Sequence, residues 1–469
     1  MTKNDTGNCA SSRGVYFNTG SGIQLQSLDI GHGVYTALVS AETAFWALVR
    51  KDRLADALAD TSFLREYRRK EKSLKEEMDR LRFGRNPLAV YFNATDRCNL
   101  DCSYCYIPKR LRRNGGDMSA PKIFRALKIL KVYFRKTLPG GIKPQIVFHG
   151  AEPLLNKEAV LDAMDGFAAD FRFGIQTNGS LLDNETLDFL TSRNVSIGLS
   201  LDGHNERIAN RLRRTRGGDD VYGKVVGSLK RLRGYGNYSV ICTVTKENAA
   251  HLTPMVDFLH SLEVPACMLN AVRCALSGAR SHKPSDHYLA LHYMKALDRS
   301  YRLYKNSGRR IVIANFANVL AGILAPSARR LMCDISPCGG GRYFFAVAAG
   351  GDVFPCSEFI GLKKFKGGNI FRDDLRDIMR TDPFNLVTGR RVEDIEPCRS
   401  CAIRHFCGSP CPAEAHEMNG GMNRPGAFCE LYEEQVRYAL RAIADRKENA
   451  YLWNDWPKNL SASLEITRL

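Results

Sequence analysis

The chain has 469 residues, 44% of them hydrophobic and 25% charged, with 68 Lys+Arg against 50 Asp+Glu and a net charge of +18. That composition supplies several buried cores and excludes intrinsic disorder as the dominant state. The most apolar stretches, residues 34–49 and 311–325, fall short of the roughly 20 apolar residues a spanning helix needs, and MTKNDTGNCASSRG lacks the continuous apolar run of a secretory signal. No membrane segment and a cytoplasmic location are therefore expected.

Residues 1–85 read as a small accessory domain. GVYFNT and GIQLQSL alternate like strands, residues 34–49 carry an apolar helical pattern, and a charged helix follows from about Leu64 to Arg82. In that helix Leu64, Tyr67, Leu74, Met78 and Leu81 recur in steps of three, four or their multiples, which makes one apolar stripe on a charged rod.

From 86 to 325 strand and helix patterns alternate. The strands are LAVYFNAT, QIVFHG, RFGIQT, VSIGLSL, YSVICTV and ACMLNAV, and helical segments at 120–135, 185–192, 225–233 and 286–304 lie among or after them. Six such units in series predict an α/β fold with a parallel sheet and crossover helices, whose ligands gather at the carboxyl ends of the strands. Periodicity alone leaves a closed barrel and an open sheet equally possible. Residues 326–432 are rich in Gly, Pro and Cys and poor in long periodic elements, so this region needs staples rather than a large core. A terminal helix and tail occupy 433–469, the helical pattern itself spanning about 430–447.

Fifteen cysteines in a chain expected to stay in a reducing compartment point to metal ligands or reactive thiols rather than disulfides. Cys98, Cys102 and Cys105 follow directly on the first strand of the alternating region. Eight more, Cys333, Cys338, Cys356, Cys398, Cys401, Cys407, Cys411 and Cys429, fill the last third. The remaining four, Cys9, Cys242, Cys267 and Cys274, read as small buried hydrophobes. Three thiolates on one loop leave a tetrahedral zinc or a four-iron cluster one ligand short. The residue pattern alone fits a zinc knuckle with a distant fourth ligand as well as a site with an open position. Polar turns close the next three strands: His149-Gly150-Ala151-Glu152-Pro153, Thr177-Asn178-Gly179 and Ser200-Leu201-Asp202-Gly203. Their small residues admit a ligand to the backbone, and Glu152 can accept from an ammonium group.

With these motifs together, the chain resembles the radical S-adenosylmethionine (SAM) enzymes. The resemblance implies a partial (β/α)6 barrel of the TIM type in which Cys98, Cys102 and Cys105 hold a [4Fe-4S] cluster whose open iron binds the amino and carboxylate groups of SAM. Gly150, Ala151, Glu152 and Pro153 match the family's Gly-Gly-Glu-Pro segment, with Ala as the second residue, and so imply contact with the methionine amino group. Asn178 and Ser200 match ribose-contacting positions. Tyr104 matches the aromatic residue beside the adenine, and Arg213, in the basic run with Arg211 and Arg214, is assigned to the SAM carboxylate. One electron delivered to that cluster yields a 5′-deoxyadenosyl radical, so an electron donor such as flavodoxin or ferredoxin is implied.

The later cysteines resemble the SPASM extension. This implies two more [4Fe-4S] clusters, three in all. One takes Cys333, Cys338, Cys356 and Cys411, and the other takes Cys398, Cys401, Cys407 and Cys429. SPASM members mostly act on peptides or proteins, and residues 1–85 loosely resemble their winged-helix leader-binding modules. FHGAEPLLN and CSYCYIPKRLRRNG are most similar to the maturases of the quinohemoprotein amine dehydrogenase small subunit. That likeness implies thioether bonds between Cys sulfur and Asp or Glu methylene carbons of a small acidic, Cys-containing partner. Alternatives are other peptide thioethers of the sactionine or ranthipeptide type, formylglycine formation, RNA modification, and a zinc protein binding nucleic acid. Sulfatase-maturing relatives carry Asp directly after the third ligand of the first auxiliary cluster; here that position is Ser357, followed by Glu358, which argues against formylglycine.

Overall fold

The computed structural model describes residues 16–18, 23–217, 220–273 and 277–456. The chain divides into two compact units, each discontinuous in sequence. One comprises 1–84, 285–338 and 390–469; the other comprises 85–284 and 339–389.

In the first unit, strands β1 (Tyr16–Asn18), β2 (Gln24–Leu28), β3 (Tyr35–Val39) and β4 (Trp46–Arg50) form an antiparallel sheet in that order. Residues 34–49, expected as helix, are thus two strands joined by a turn in which Ser40 N donates to Phe45 O at 2.9 Å. A short apolar run does not distinguish the two periods. Here the β-branched and aromatic residues of YTALV and WALVR pair across the hairpin, Ala37 opposite Leu48 and Val39 opposite Trp46. The charged helix spans Thr61–Phe83, capped by Asp60, whose side chain accepts from Ser62 N. Its stripe packs on the sheet as expected: Tyr67 is buried with Leu25, Leu38, Phe45 and Phe63, and Leu64 and Leu74 lie against them. The unit continues through the helix Asp286–Ser307, a two-residue strand β11 (Val312–Ile313), the helix Ala314–Leu324 and the terminal helix Cys429–Ala444.

The second unit holds the six expected strands, β5 (Ala89–Asn93), β6 (Gln145–His149), β7 (Arg172–Thr177), β8 (Ser196–Ser200), β9 (Tyr238–Val244) and β10 (Ala266–Ala271). They are parallel and adjacent in sequence order. Consecutive order with helices between neighbours is the one-way winding of a barrel-type sheet rather than a doubly wound one. Three short strands lie beyond β5: β12 (Phe344–Val347), parallel to it, then β13 (Asp352–Phe354) and β14 (Gly368–Asn369), both antiparallel. Each has four residues or fewer, too short to show a period. Cys242 on β9 and Cys267 on β10 are buried, as small hydrophobes; Cys9 and Cys274 lie outside the described residues. Among the described residues no helix is long and apolar enough to cross a membrane.

Phe148 on β6 is fully buried, edge-on to Phe92 at 5.6 Å and stacked on Phe173 at 6.0 Å. Phe148→Ala should lower the unfolding free energy by about 3–5 kcal/mol, read by denaturant titration; a change below about 1 kcal/mol would show that this aromatic layer does not hold the sheet together.

Candidate functional site

All three near-consecutive thiols lie on the loop that leaves β5, which is held by bonds within itself, to neighbouring strand ends, to the helix that follows and to residues 214–216. Cys98 N donates to Arg112 O at 2.9 Å, Cys105 N to Cys102 O at 3.3 Å, and Glu152 N, just past β6, to Arg97 O at 3.0 Å. Arg112, buried in the helix Lys109–Asn114, donates from Nη1 to Asp101 Oδ1 at 2.8 Å and from Nε to Ile107 O at 3.1 Å. A buried guanidinium thus ties the middle of the loop to its carboxyl end.

The ends of β6 and β7 are joined through Glu152, which is fully buried. Its Oε1 accepts from Thr177 Oγ1 at 2.7 Å and Leu154 N at 3.1 Å, and its Oε2 accepts from Asn178 N at 2.8 Å. Asn178 Nδ2 in turn donates to Asn99 Oδ1 at 2.9 Å and lies 3.8 Å from Cys98 Sγ. Gly150 adopts φ +118°, and a Cβ there would stand 2.7 Å from the Asn93 side chain, so only glycine fits that turn. Ala151 and Pro153 follow it before the turn Pro153–Asn156. Ser200 ends β8 beside Ile241.

Tyr104 and Arg213 meet each other. Tyr104 Oη donates to Asp202 Oδ2, while Arg213 Nη1 donates to Tyr104 Oη at 2.7 Å and lies 3.4 Å from Asp202 Oδ2. Asp202 Oδ1 accepts from Thr243 N on β9 at 2.8 Å. The tyrosine of the cysteine loop is thereby pinned to the ends of β8 and β9. Sequence reasoning named Asp202 only as part of a turn and missed Asn99 and Thr243, because bonds spanning 41 to 109 residues leave no local pattern; it missed Arg112 because one arginine in a basic run carries no sign of its burial.

Burial pushes the Cys98 thiol up to about 12 and Cys105 to about 11, and raises Cys102 as well; each of the three is also raised by at least one other ionisable neighbour, Cys102 acting on both Cys98 and Cys105. Thiolates gathered here persist only with a positive centre bound among them, the ordinary chemistry of a cysteine-ligated metal group. Among the described residues no three His, Cys, Asp or Glu side chains are gathered closely enough for a single metal ion.

A second thiol set lies wholly in the first unit. Cys398, Cys401, Cys407 and Cys429 line one cavity, with Pro397, Ile403 and Ser409 among its walls; the first three are free thiols, whereas Cys429 is disulfide-bonded, contrary to the expectation of metal ligands or reactive thiols rather than disulfides. The unexpected residue is Arg390, which is buried. It donates to Met422 O, Ser409 O, Ser409 Oγ and Arg424 O at 2.6–3.0 Å, and the thiols of Cys338, Cys411, Cys398 and Cys407 act on its charge. Cys411 itself adopts φ +53°, a strained conformation for a residue with a Cβ. Cys333 is exposed in the same unit. In the second unit, Cys356 precedes the turn Ser357–Phe359; the Tyr106 phenol bonds the Ser357 side chain and is raised by burial, then by Glu358, Cys105 and Cys356. Glu358 lies 3.7 Å from Arg273 Nε.

A model of the radical SAM superfamily matches residues 92–259, and the SPASM model, an iron-sulfur cluster-binding domain, matches 338–402. An uncharacterized protein of Archaeoglobus fulgidus is 39% identical over 87% of this chain and 92% of its own length. The chain belongs to the radical SAM superfamily. The cysteine-type anaerobic sulfatase-maturating enzyme of Clostridium perfringens is 23% identical to this radical SAM protein over 77% of this chain and 99% of its own length. Native anSMEcpe with bound AdoMet and a Cp18Cys peptide has the same fold, with a TM-score of 0.66 at 21% identity over 77% of this chain and 99% of that one. This radical SAM enzyme carries a SPASM domain, and the two together imply [4Fe-4S] clusters and SAM.

His149, at the end of β6, has its Nδ1 buried without a partner, and burial pushes its pKa from 6.5 down to about 4. The unfolded chain therefore binds this proton at a higher pH than the folded one. The contribution of His149 is fully present above about pH 6.5 and declines as pH falls toward 4. Equilibrium unfolding measured across that window should show a flatter pH dependence for His149→Gln than for the parent; equal slopes would show that the ring titrates freely in the fold.

Proposed function

We propose that this radical SAM protein is a peptide-modifying maturase that forms intrachain thioether bonds, from Cys sulfur to Asp or Glu methylene carbon, in a small acidic protein such as the quinohemoprotein amine dehydrogenase small subunit. The single observation that carries the reading is the hydrogen-bonded cysteine loop. Three thiols whose ionisation needs a bound positive centre stand at the strand ends, beside Glu152 and Asn178. The peptide bound in anSMEcpe supports a peptide substrate.

In this reading Cys98, Cys102 and Cys105 hold the catalytic cluster, and Cys398, Cys401, Cys407 and, with its disulfide reduced, Cys429 hold an auxiliary one. Cys333, Cys338, Cys356 and Cys411 complete a set of three. When bound, SAM supplies a 5′-deoxyadenosyl radical that takes hydrogen from an unactivated carbon. The chain's own residues do the rest. Glu152 fixes the β6 and β7 ends and faces the amino group, Asn178 and Ser200 face the ribose, and Tyr104 and Arg213 set the loop against β8. The surrounding strands exclude water from a reactive site. Were Cys333 a ligand, the first auxiliary set would offer the substrate sulfur no position of its own, and that sulfur would have to attack from outside it.

Formylglycine formation is the second reading, favoured by the likeness to the sulfatase-maturating enzyme. Against it stands Ser357, which follows Cys356 and bonds Tyr106 where a carboxylate would be wanted.

Anaerobically reconstituted protein should bind about twelve irons, four for each [4Fe-4S] cluster, and release 5′-deoxyadenosine. The mass of the partner should fall by two hydrogens per link. Zinc without SAM cleavage would end the radical reading, and an unchanged partner mass or a loss of water would end the thioether reading. Cys98→Ala should abolish SAM cleavage while keeping about eight irons; continued turnover would place the catalytic cluster elsewhere.

A further inference from the structure

The surface covering the cysteine loop is strongly basic. Residues 214–216 run antiparallel beside the loop, with Leu100 bridged to Thr215 and Asp101 N donating to Arg214 O at 2.8 Å. Arg216 Nη2 donates to Cys98 O at 3.1 Å. Arg214 and Arg216 are nevertheless exposed, as are Lys109, Arg110 and Arg113 on the helix that follows the loop. Asp101, Arg113, Asn114, Arg214, Thr215 and Arg216 line a cleft of about 500 Å³. Among the described residues its one lining carboxylate, Asp101, is already shared between Arg112 and Arg113, each at 2.8 Å, with Lys109 at 3.8 Å. Three arginines against one occupied carboxylate leave a concave positive surface, one of whose arginines, Arg216, bonds the Cys98 carbonyl.

We infer that this arginine- and lysine-rich surface over the Cys98–Cys105 loop is the docking site of an acidic one-electron donor protein. The inference rests on the radical SAM reading. Cleaving the sulfonium C–S bond of SAM to methionine and the deoxyadenosyl radical consumes one electron, and the donor, carrying a low-potential flavin or iron-sulfur group, is oxidised by that one electron. Electron transfer weakens steeply with distance, so the donor must approach the loop that holds the catalytic thiols. This surface does so within one guanidinium's width, and it carries the charge that steers an acidic protein. RNA is the rival occupant of a basic cleft, but among the described residues the lining contains no aromatic side chain on which a base stacks.

The test uses reconstituted holoenzyme and a flavodoxin held as its hydroquinone. Flavodoxin binding and flavodoxin-driven SAM cleavage are measured at low and high salt, beside cleavage driven by dithionite. The variants are Arg110→Glu and the triple Lys109→Glu, Arg110→Glu, Arg113→Glu. The triple variant should bind flavodoxin about tenfold or more weakly, with a shallower salt dependence, and Arg110→Glu should lie between it and the parent. Both should keep the parent's iron content and dithionite-driven rate. Parental flavodoxin affinity in the triple variant would overturn the proposal, as would RNA binding that the substitutions abolish while flavodoxin binding persists. A variant that lost dithionite-driven cleavage would show that these residues act on the loop rather than on a partner, which also overturns it. Failure of the unaltered enzyme to cleave SAM with dithionite would instead refute the radical SAM reading itself.

Discussion

Gathering thiols that repel one another as they ionise is the constraint on which this structure depends. Cys98, Cys102 and Cys105 occupy eight consecutive positions, are largely removed from water, and are raised in pKa by burial before any mutual effect is felt. A loop under that stress keeps its shape only if its backbone is bonded on all sides. It is: the Arg112 carbonyl and guanidinium, Glu152 N and the Asn178 amide each fix part of it. Glu152 deserves its burial for the same reason. Three donors on its two oxygens make it a strut between strand ends, and that strut positions Asn178 against Cys98.

The chemistry-bearing residues of the second unit therefore lie where strands end. A parallel sheet with strands in sequence order brings every βα loop to one edge, so residues as far apart as Tyr104, Asp202, Arg213 and Thr243 become neighbours. The Tyr104–Asp202–Arg213 arrangement shows how the fold uses this: the loop between β5 and its helix is locked from the far side of the edge, by a carboxylate itself held on the backbone of β9.

Much of this was legible beforehand. The six parallel strands were readable because each is an apolar run of five to seven residues bounded by turn-forming residues, and the cysteine loop because ligand spacing is a local property. The hairpin at 34–49 was misread as helix because five or six apolar residues on either side of a turn mimic a helical face, and only cross-strand pairing decides between them. The strands β12 to β14 were invisible for want of length. Tyr104 was legible as an aromatic beside the ligand loop, but its bond to Asp202 is a tertiary fact. Arg390 gave no signal: in GRRVED it reads as one more surface cation, and its burial follows from residues up to 34 positions away.

That arginine carries a further argument about the cysteine-rich region. Its four acceptors, three carbonyls and a hydroxyl, are all neutral. A guanidinium buried with neutral partners alone keeps an uncompensated positive charge in a poorly polarisable surrounding, one of the costlier arrangements a fold can contain. Burial indeed depresses its pKa, while the thiols of Cys338, Cys411, Cys398 and Cys407 oppose that depression. The arrangement is stable once those sulfurs are thiolates, and thiolates held by iron-sulfur groups give that region negative charge. The same logic applies to Arg112 and Arg213, whose charges are favoured by Cys102 together with Cys105 or Cys98. Buried arginines placed against cysteines, rather than against carboxylates alone, make each thiol set a place prepared for an anionic cofactor, and they fix where in the chain such a cofactor can sit.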